Sequence, residues 1–85
     1  MPKSVFTDAY DSFLETLVAA RKRAGFTQVQ LSEALGKPQP FISNIERGIR
    51  RLDIIEFIAI ARAMRLDPKD LFTQVLRKVP KSIEI

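Results

Sequence analysis

Three glycines divide the first 48 residues of this 85-residue chain into short segments. Gly25, Gly36 and Gly48 each follow a stretch in which apolar side chains recur every three or four residues, which places them on one face of an α-helix. Glycine adopts the left-handed backbone conformation without steric cost and commonly ends a helix. The pattern therefore predicts three consecutive helices, the second only two to three turns long.

The residues before each stretch indicate where these helices begin. Thr7 is the expected N-cap of helix 1, whose apolar series runs from Tyr10 to Val18 and ends in a basic last turn. Thr27 is the expected N-cap of helix 2. Helix 3 is expected to begin near Pro38, because the first amides of a helix have no intrahelical partner and proline is tolerated there.

Two more helices follow in the second half of the chain. Asp53 is expected to cap IIEFIAIARAM, which is so apolar that helix 4 is predicted to be the buried centre of the domain. Asp67 is expected to cap a fifth helix of about ten residues, PKDLFTQVLR, with proline at its first position. The tail KSIEI is compatible with a short strand but too brief to establish one. We predict a single all-α domain over residues 1–85, with an N-terminal arm 1–7, a core 8–78 and a C-terminal tail 79–85.

Composition narrows the classes of function. The chain contains neither cysteine nor histidine, which excludes disulfides, the usual zinc sites and a Ser-His catalytic pair. We therefore expect no enzyme, no metal and no cofactor. No apolar run approaches the roughly 18–20 residues that span a bilayer, and the N-terminus lacks the apolar core of a signal peptide. The expected location is the cytoplasm, in association with the nucleoid.

Positive charge is concentrated in the middle of the chain. The formal net charge is +4, and between Arg21 and Arg51 there are seven basic residues against two acidic ones. Such a basic stretch attracts a polyanion such as DNA. Composition alone is equally consistent with a solvated charged surface.

Helices 2 and 3, joined by the tight turn Gly36-Lys37-Pro38, form the pattern of a helix-turn-helix. The segment TQVQLSEALGKPQPFISNIERG and the following IRRLDIIEFIAIARAMRLDP resemble the xenobiotic-response-element (XRE) family, which is related to phage repressors and Cro. The resemblance spans about residues 17–71 and includes the spacing of both helices, the turn and the Glu-Arg-Gly ending. It implies a compact five-helix, lambda-repressor-like domain that binds double-stranded DNA as a transcriptional regulator, and as a repressor in particular.

The resemblance also implies which residues read bases. In this family the second helix of the motif enters the major groove, and the matching positions here are Gln39, Pro40, Ser43 and Asn44. A glutamine or asparagine amide can pair with adenine N6 and N7, and a proline ring can touch a thymine methyl. The alternative is that Gln39 and Ser43 only cap or cover an exposed helix. Phe41 shares a side with Ile45, which favours packing at the core over a base contact.

Phosphate contacts are expected on both sides of the reading helix, since they fix its register and supply salt-dependent affinity. Gln28 resembles the family's backbone-contacting glutamine. The other candidates are Thr27, Lys37, Arg47, Arg50 and Arg51. For each basic candidate, the alternative interpretation is a solvated surface charge that contacts no phosphate.

An ion pair within the scaffold is a further implication of the resemblance. The family often pairs an arginine late in helix 1 with the glutamate that ends helix 3, here Arg21 and Glu46. The alternative is two independent surface charges.

Dimer formation is expected because one reading helix covers only about four to six base pairs, and such domains bind half-sites about 34 Å apart. Helix 5 and the tail carry more apolar side chains than one small helix buries within its own domain. The expected homodimer interface comprises Leu71, Phe72, Val75, Leu76 and Val79, with Ile83 and Ile85 of the tail beside them.

Three functional classes remain open from the sequence. The first is a repressor or other regulator that binds a palindromic operator. The second is an antitoxin that binds DNA and also a toxin protein. The third is a protein-interaction module that has lost DNA binding, which the basic stretch around the motif argues against.

Overall fold

Five α-helices make up the described part of the chain. The computed structural model describes the backbone of residues 5–83 and the side chains of residues 8–83. The helices are α1 (Val5–Arg23), α2 (Gln28–Ala34), α3 (Phe41–Glu46), α4 (Ile54–Ala63) and α5 (Pro68–Lys78). No strand occurs within residues 5–83, so the prediction of an all-α, five-helix domain is confirmed. Ile85, at the end of the tail, lies outside the described residues.

Helix α1 begins earlier than predicted. It starts at Val5, so Thr7 lies inside the helix and not at its N-cap. Of the expected arm 1–7, residues 5–7 are helical and residues 1–4 lie outside the described part. Threonine differs from good helix formers by only a few tenths of a kcal/mol, so a residue suited to an N-cap does not by itself start a helix there.

Helix α3 begins later than predicted. Its first residue is Phe41, three residues after Pro38, and residues 39–40 form a turn. The Asn44 N–H donates to the Pro40 carbonyl at 2.9 Å, and this four-residue hydrogen bond places the helix start at Phe41. The Ile42 N–H donates instead to the Ser32 hydroxyl at 3.1 Å. The Phe41 N–H donates to the Pro38 carbonyl at 3.0 Å, which closes the turn ahead of the helix.

Helices α2, α4 and α5 begin at the predicted capping residues Thr27, Asp53 and Asp67. The Thr27 hydroxyl accepts the Gln30 N–H at 3.0 Å, and the Asp53 carboxylate accepts the Glu56 N–H at 2.7 Å. In both cases the side chain of the third helical residue bonds back to the cap, which completes a capping box. Contacts within three residues therefore determine these helix starts.

Two residues after the end of each of the first four helices lies a residue with positive φ. Gly25, Gly36 and Gly48 have φ of 84°, 68° and 77°, and Arg65, which follows α4, has φ of 61°. The two backbone hydrogen bonds of a Schellman motif form around Arg65, each 2.9 Å long. A side chain with a Cβ in this conformation costs roughly 1–2 kcal/mol that glycine avoids.

Replacing Arg65 by glycine is therefore expected to stabilise the protein by about 1 kcal/mol, since the greater freedom of glycine in the unfolded chain offsets part of the gain. Urea unfolding should show a higher midpoint at an unchanged m-value. The matched control is Arg62→Gly in the last helical turn of α4, which should destabilise by about 1 kcal/mol. An Arg65→Gly protein no more stable than wild type would contradict the assigned backbone strain.

One hydrophobic core joins the helices. Helix α1 packs against α3 and α5, α4 packs against α2 and α5, and α2 packs against α3. The buried side chains that form the core cluster are Leu14, Leu17, Ala20, Leu31, Ile42, Ile45, Phe57, Ile60, Ala61, Met64, Leu71 and Val75. Both helices of the predicted helix-turn-helix contribute to this cluster, so the core determines how they are presented.

Helix α4 is only partly buried, which corrects the prediction that its whole apolar stretch is core. Ile54 and Ile55 in its first turn are 60% and 69% exposed. The buried positions are Phe57, Ile60 and Ala61, spaced so that they share one side of the helix. Neighbouring helices cover that side alone, and apolar character does not bury a residue that has no packing partner.

Membrane and metal sites are not found in the described residues. None of their helices is long and apolar enough to cross a bilayer. Nor do residues 8–83 bring three or more potential metal ligands together.

Candidate nucleic-acid interface

A buried hydrogen bond holds α2 and α3 together. The Ser32 hydroxyl oxygen accepts the Ile42 N–H at 3.1 Å, and Ser32 is completely buried. Pro40 occupies the N-cap position of α3 but makes no side-chain cap. Ser32 therefore caps the first turn of α3 from the neighbouring helix. The sequence analysis did not predict this role. It could have been suspected because Ser32 is a hydroxyl residue next to the apolar Leu31, on the side of α2 that faces the core.

An ion pair attaches the end of α3 to α1. Arg21 Nε lies 2.7 Å from Glu46 Oε2, and Arg21 Nη2 lies 3.1 Å from Glu46 Oε1. The two side chains are only 10% and 7% exposed. Arg21 Nη1 also donates to the Phe26 carbonyl at 2.8 Å, in the loop between α1 and α2. The last turn of α3 is thus held against both α1 and the start of α2.

Gln28 belongs to the same network. Its Nε2 donates to Glu46 Oε1 at 2.8 Å, and because an amide nitrogen carries two hydrogens, one N–H is left for another acceptor. Thr27 uses its hydroxyl oxygen as an acceptor for the Gln30 N–H, which leaves its hydroxyl hydrogen as a donor. Both candidate phosphate ligands at the start of α2 therefore keep a donor.

Of the four candidate base-reading residues, two lie in the turn before α3 and two lie within the helix. Gln39 and Pro40 are exposed, and Ser43 and Asn44 are half-buried. The Ser43 hydroxyl donates to the Pro40 carbonyl at 3.1 Å, so it can offer a ligand only acceptor positions. Within residues 8–83 no hydrogen bond engages the side-chain amides of Gln39 and Asn44. These two amides are available as donors and acceptors at once.

Two cationic side chains lie over the ring of Phe41, the first residue of α3. Lys37 Nζ is 5.5 Å from the centroid of the Phe41 ring, and the guanidinium carbon of Arg50 is 4.9 Å from it. Phe41 is half-buried and packs against the core cluster, in agreement with the interpretation that it belongs to the core edge. The ring therefore brings two candidate phosphate ligands to the first turn of α3.

Arg50 is also bound to an acidic residue. Its Nη1 and Nη2 donate to Glu56 Oε1 and Oε2 at 3.0 and 2.8 Å, and Nη1 donates to the Arg51 carbonyl at 3.2 Å. These hydrogen bonds raise the pKa of Arg50 and hold the pKa of the Glu56 carboxyl below its ordinary value. The sequence analysis did not single out Glu56. Its position three residues after Asp53, which is the spacing of a capping box, could have identified it.

The loop between α3 and α4 is attached to α1 through Tyr10. The Leu52 N–H donates to the Tyr10 hydroxyl at 3.1 Å, and the Arg51 guanidinium carbon lies 4.5 Å from the centroid of the Tyr10 ring. Arg47, the remaining basic candidate, is exposed at the C-cap of α3. Arg51 is therefore positioned by α1, whereas Arg50 is positioned by the start of α3.

The outer side of α5 carries part of the expected dimer interface. Phe72 and Leu76 are 45% and 61% exposed, whereas Val79, at the C-cap, is half-buried and packs against the core cluster. Leu71 and Val75 belong to the core cluster and are removed from the interface set, because residues four apart share one face of a helix and this face packs inward. Only the other face remains for a partner.

Comparison with known proteins adds two findings. Residues 17–71 match the helix-turn-helix family. A solved structure, the XRE-family like protein from Pseudomonas syringae pv. tomato str. DC3000, is 40% identical over a match that covers 85% of this chain and 88% of that one, with a TM-score of 0.76. No curated protein sequence matches this chain.

Proposed function

Because the chain belongs to the XRE-like helix-turn-helix family of DNA-binding transcription regulators, we propose that it is a repressor that reads operator DNA with α3. The observation that carries this proposal is the division of α3 into two sides. Its isoleucines Ile42 and Ile45 are buried in the core, while the side-chain amides of Asn44 and of Gln39, in the turn before α3, have no hydrogen-bond partner within residues 8–83. Uncommitted amides on a rigid exposed helix suit base recognition.

In the proposed complex α3 lies in the major groove with its first turn toward the base edges. Gln39 and Asn44 each pair with an adenine through N6 and N7, and the Pro40 ring packs against a thymine methyl. Ser43 accepts a hydrogen bond from an exocyclic amine, because its own hydrogen is given to the Pro40 carbonyl. Two of the four contacts come from α3 itself, and the other two come from the turn that precedes it.

Phosphates are contacted on both sides of the reading helix. Donors at the start of α2 meet one stretch of backbone, supported by the amides of that helix N-terminus. The remaining proposed phosphate ligands follow the turn or the end of α3: Lys37, Arg47, Arg50 and Arg51. A protein that occupies an operator in this way excludes other proteins from the same DNA, which is the simplest mechanism of repression. Such a protein acts at the nucleoid in the cytoplasm.

We further propose that two copies bind a palindromic operator through the outer side of α5. Phe72 and Leu76 are exposed apolar residues at adjacent positions of one helix turn, and Ile83 beyond the helix is 44% exposed. A symmetric dimer presents the same patch from both subunits, so these residues can cover one another. Such a dimer places its two reading helices about one turn of DNA apart, near 34 Å.

Selection of bound sites from random double-stranded DNA tests the proposal. The purified chain is expected to enrich a palindrome, and the logarithm of its affinity should fall linearly with the logarithm of salt concentration, as phosphate contacts require. Failure to enrich any sequence would overturn DNA reading by α3. Light scattering tests the dimer separately: Leu76→Asp should give a monomer, and a wild-type mass of one chain with and without the selected DNA would exclude the dimer.

A further inference from the structure

Arg50 is a proposed phosphate ligand that is already bound to an acidic residue of its own chain. Both of its terminal nitrogens donate to the Glu56 carboxylate, while one side of the guanidinium group lies at the Phe41 ring. Arg50 forms this pair at the protein surface, where its side chain is 43% exposed. A phosphate group that approaches Arg50 therefore meets a second anion bound to the same cation.

We propose that Glu56 restrains DNA binding by occupying Arg50. The inference rests on the proposed DNA binding and assigns a role to a residue outside the reading helix. If Arg50 stays on Glu56 in the complex, the pair has no net charge and releases no counterion from the duplex. If Arg50 leaves Glu56 to bind a phosphate, the protein loses the ion pair. In either case the DNA affinity is lower than a free arginine would give.

The carboxylate is fixed in place independently of Arg50. Glu56 is the third residue of α4, and its Oε1 accepts the Asp53 N–H at 3.2 Å in the capping box. The N-terminal end of a helix favours a negative charge. The hydrogen bonds from Arg50 and from the Asp53 N–H, with the charge of Lys37, hold the pKa of the Glu56 carboxyl below its ordinary value, so it is ionised at neutral pH. Glu56 is therefore a permanent anion beside two proposed phosphate ligands.

The substitution Glu56→Gln tests the proposal, because glutamine keeps the capping box and removes only the charge. Affinity for the selected operator should rise about fivefold at low salt, since one arginine becomes free for one phosphate. The slope of log affinity against log salt should steepen by about 0.9, the value for one additional phosphate contact. Loss of a purely structural contact would instead leave affinity unchanged or lower, and that result would overturn the proposal.

Two controls separate release of Arg50 from a general gain of positive charge. Glu33→Gln makes the same charge change at an exposed position of α2, in a groove with Phe26 and Arg65 that holds none of the proposed DNA ligands. It should leave the slope unchanged, and a gain equal to that of Glu56→Gln would contradict the proposal.

The second control is a double-mutant cycle with Arg50→Gln. The gain from Glu56→Gln should largely disappear when Arg50 is absent, and a gain of the same size would overturn the role assigned to Arg50. If the wild-type protein binds no DNA at all, the proposed function itself fails. If wild type binds and only the predicted gain is missing, DNA binding stands and the role of Glu56 is wrong.

Discussion

Replacing Glu46 by alanine should cost the folded protein about 3–5 kcal/mol, the usual penalty for leaving one partner of a buried ion pair alone. The Arg21 side chain, which is 10% exposed in the intact pair, would keep only the Phe26 carbonyl as an acceptor, and Gln28 would lose its partner as well. A domain of this size has a total free energy of unfolding of roughly 5–15 kcal/mol, so the substitution should remove a large part of that stability. Urea unfolding followed by circular dichroism measures the loss.

Two comparisons identify the stranded charge as the cause. Glu33→Ala on the exposed surface of α2 should change stability by less than about 0.5 kcal/mol. The double replacement Arg21→Met with Glu46→Leu should recover most of the loss, since apolar residues of similar volume can replace a buried pair at little cost. A loss below about 1 kcal/mol for Glu46→Ala would show that the pair behaves as an exposed salt bridge.

The two sides of α3 are expected to respond to truncation in different ways. Ile45 is 1% exposed, and Ile45→Ala should lower stability by about 2–5 kcal/mol through the cavity that it leaves. Asn44, the neighbouring residue, lies on the outer side. Asn44→Ala should leave stability within about 0.5 kcal/mol of wild type and weaken operator binding by about 1–3 kcal/mol, as should Gln39→Ala.

Fluorescence anisotropy on the selected operator measures the affinity. The controls are an operator with a changed base pair and non-specific DNA. If Asn44 reads a base, its replacement should cost nothing on an operator in which that base pair is changed, and binding to non-specific DNA should be unaffected. An equal loss of affinity on all DNA sequences would show that Asn44 contributes to the backbone contacts and not to base reading.

Much of the fold could be predicted because several helix boundaries are local. Thr27, Asp53 and Asp67 start their helices by hydrogen bonds to amides two or three residues ahead. The three glycines end theirs through backbone conformations that other residues adopt only at a cost. Arg65 has the same left-handed conformation but is not a glycine, so the sequence gives no glycine from which the end of α4 could be predicted.

The predictions that failed are those in which local preferences compete or in which packing decides. At the start of α3 two prolines suggested an early beginning, but the Ile42 N–H donates to the Ser32 hydroxyl of α2 and the helix begins at Phe41. In α4 the first two isoleucines are as apolar as the buried ones, yet no neighbouring helix covers them. In α5 the sequence shows an excess of apolar residues without showing which face the core takes.

The sequence by itself determined five helices, the starts of three of them and the helix-turn-helix, because these depend on contacts within a few residues or on motif spacing. Only the tertiary structure decided how the reading helix is held and which charges are engaged. Ser32 caps α3 from ten residues away, and Tyr10 holds the Leu52 amide across 42 residues. Such contacts form only when the core has brought distant segments together, so no local pattern in the sequence encodes them.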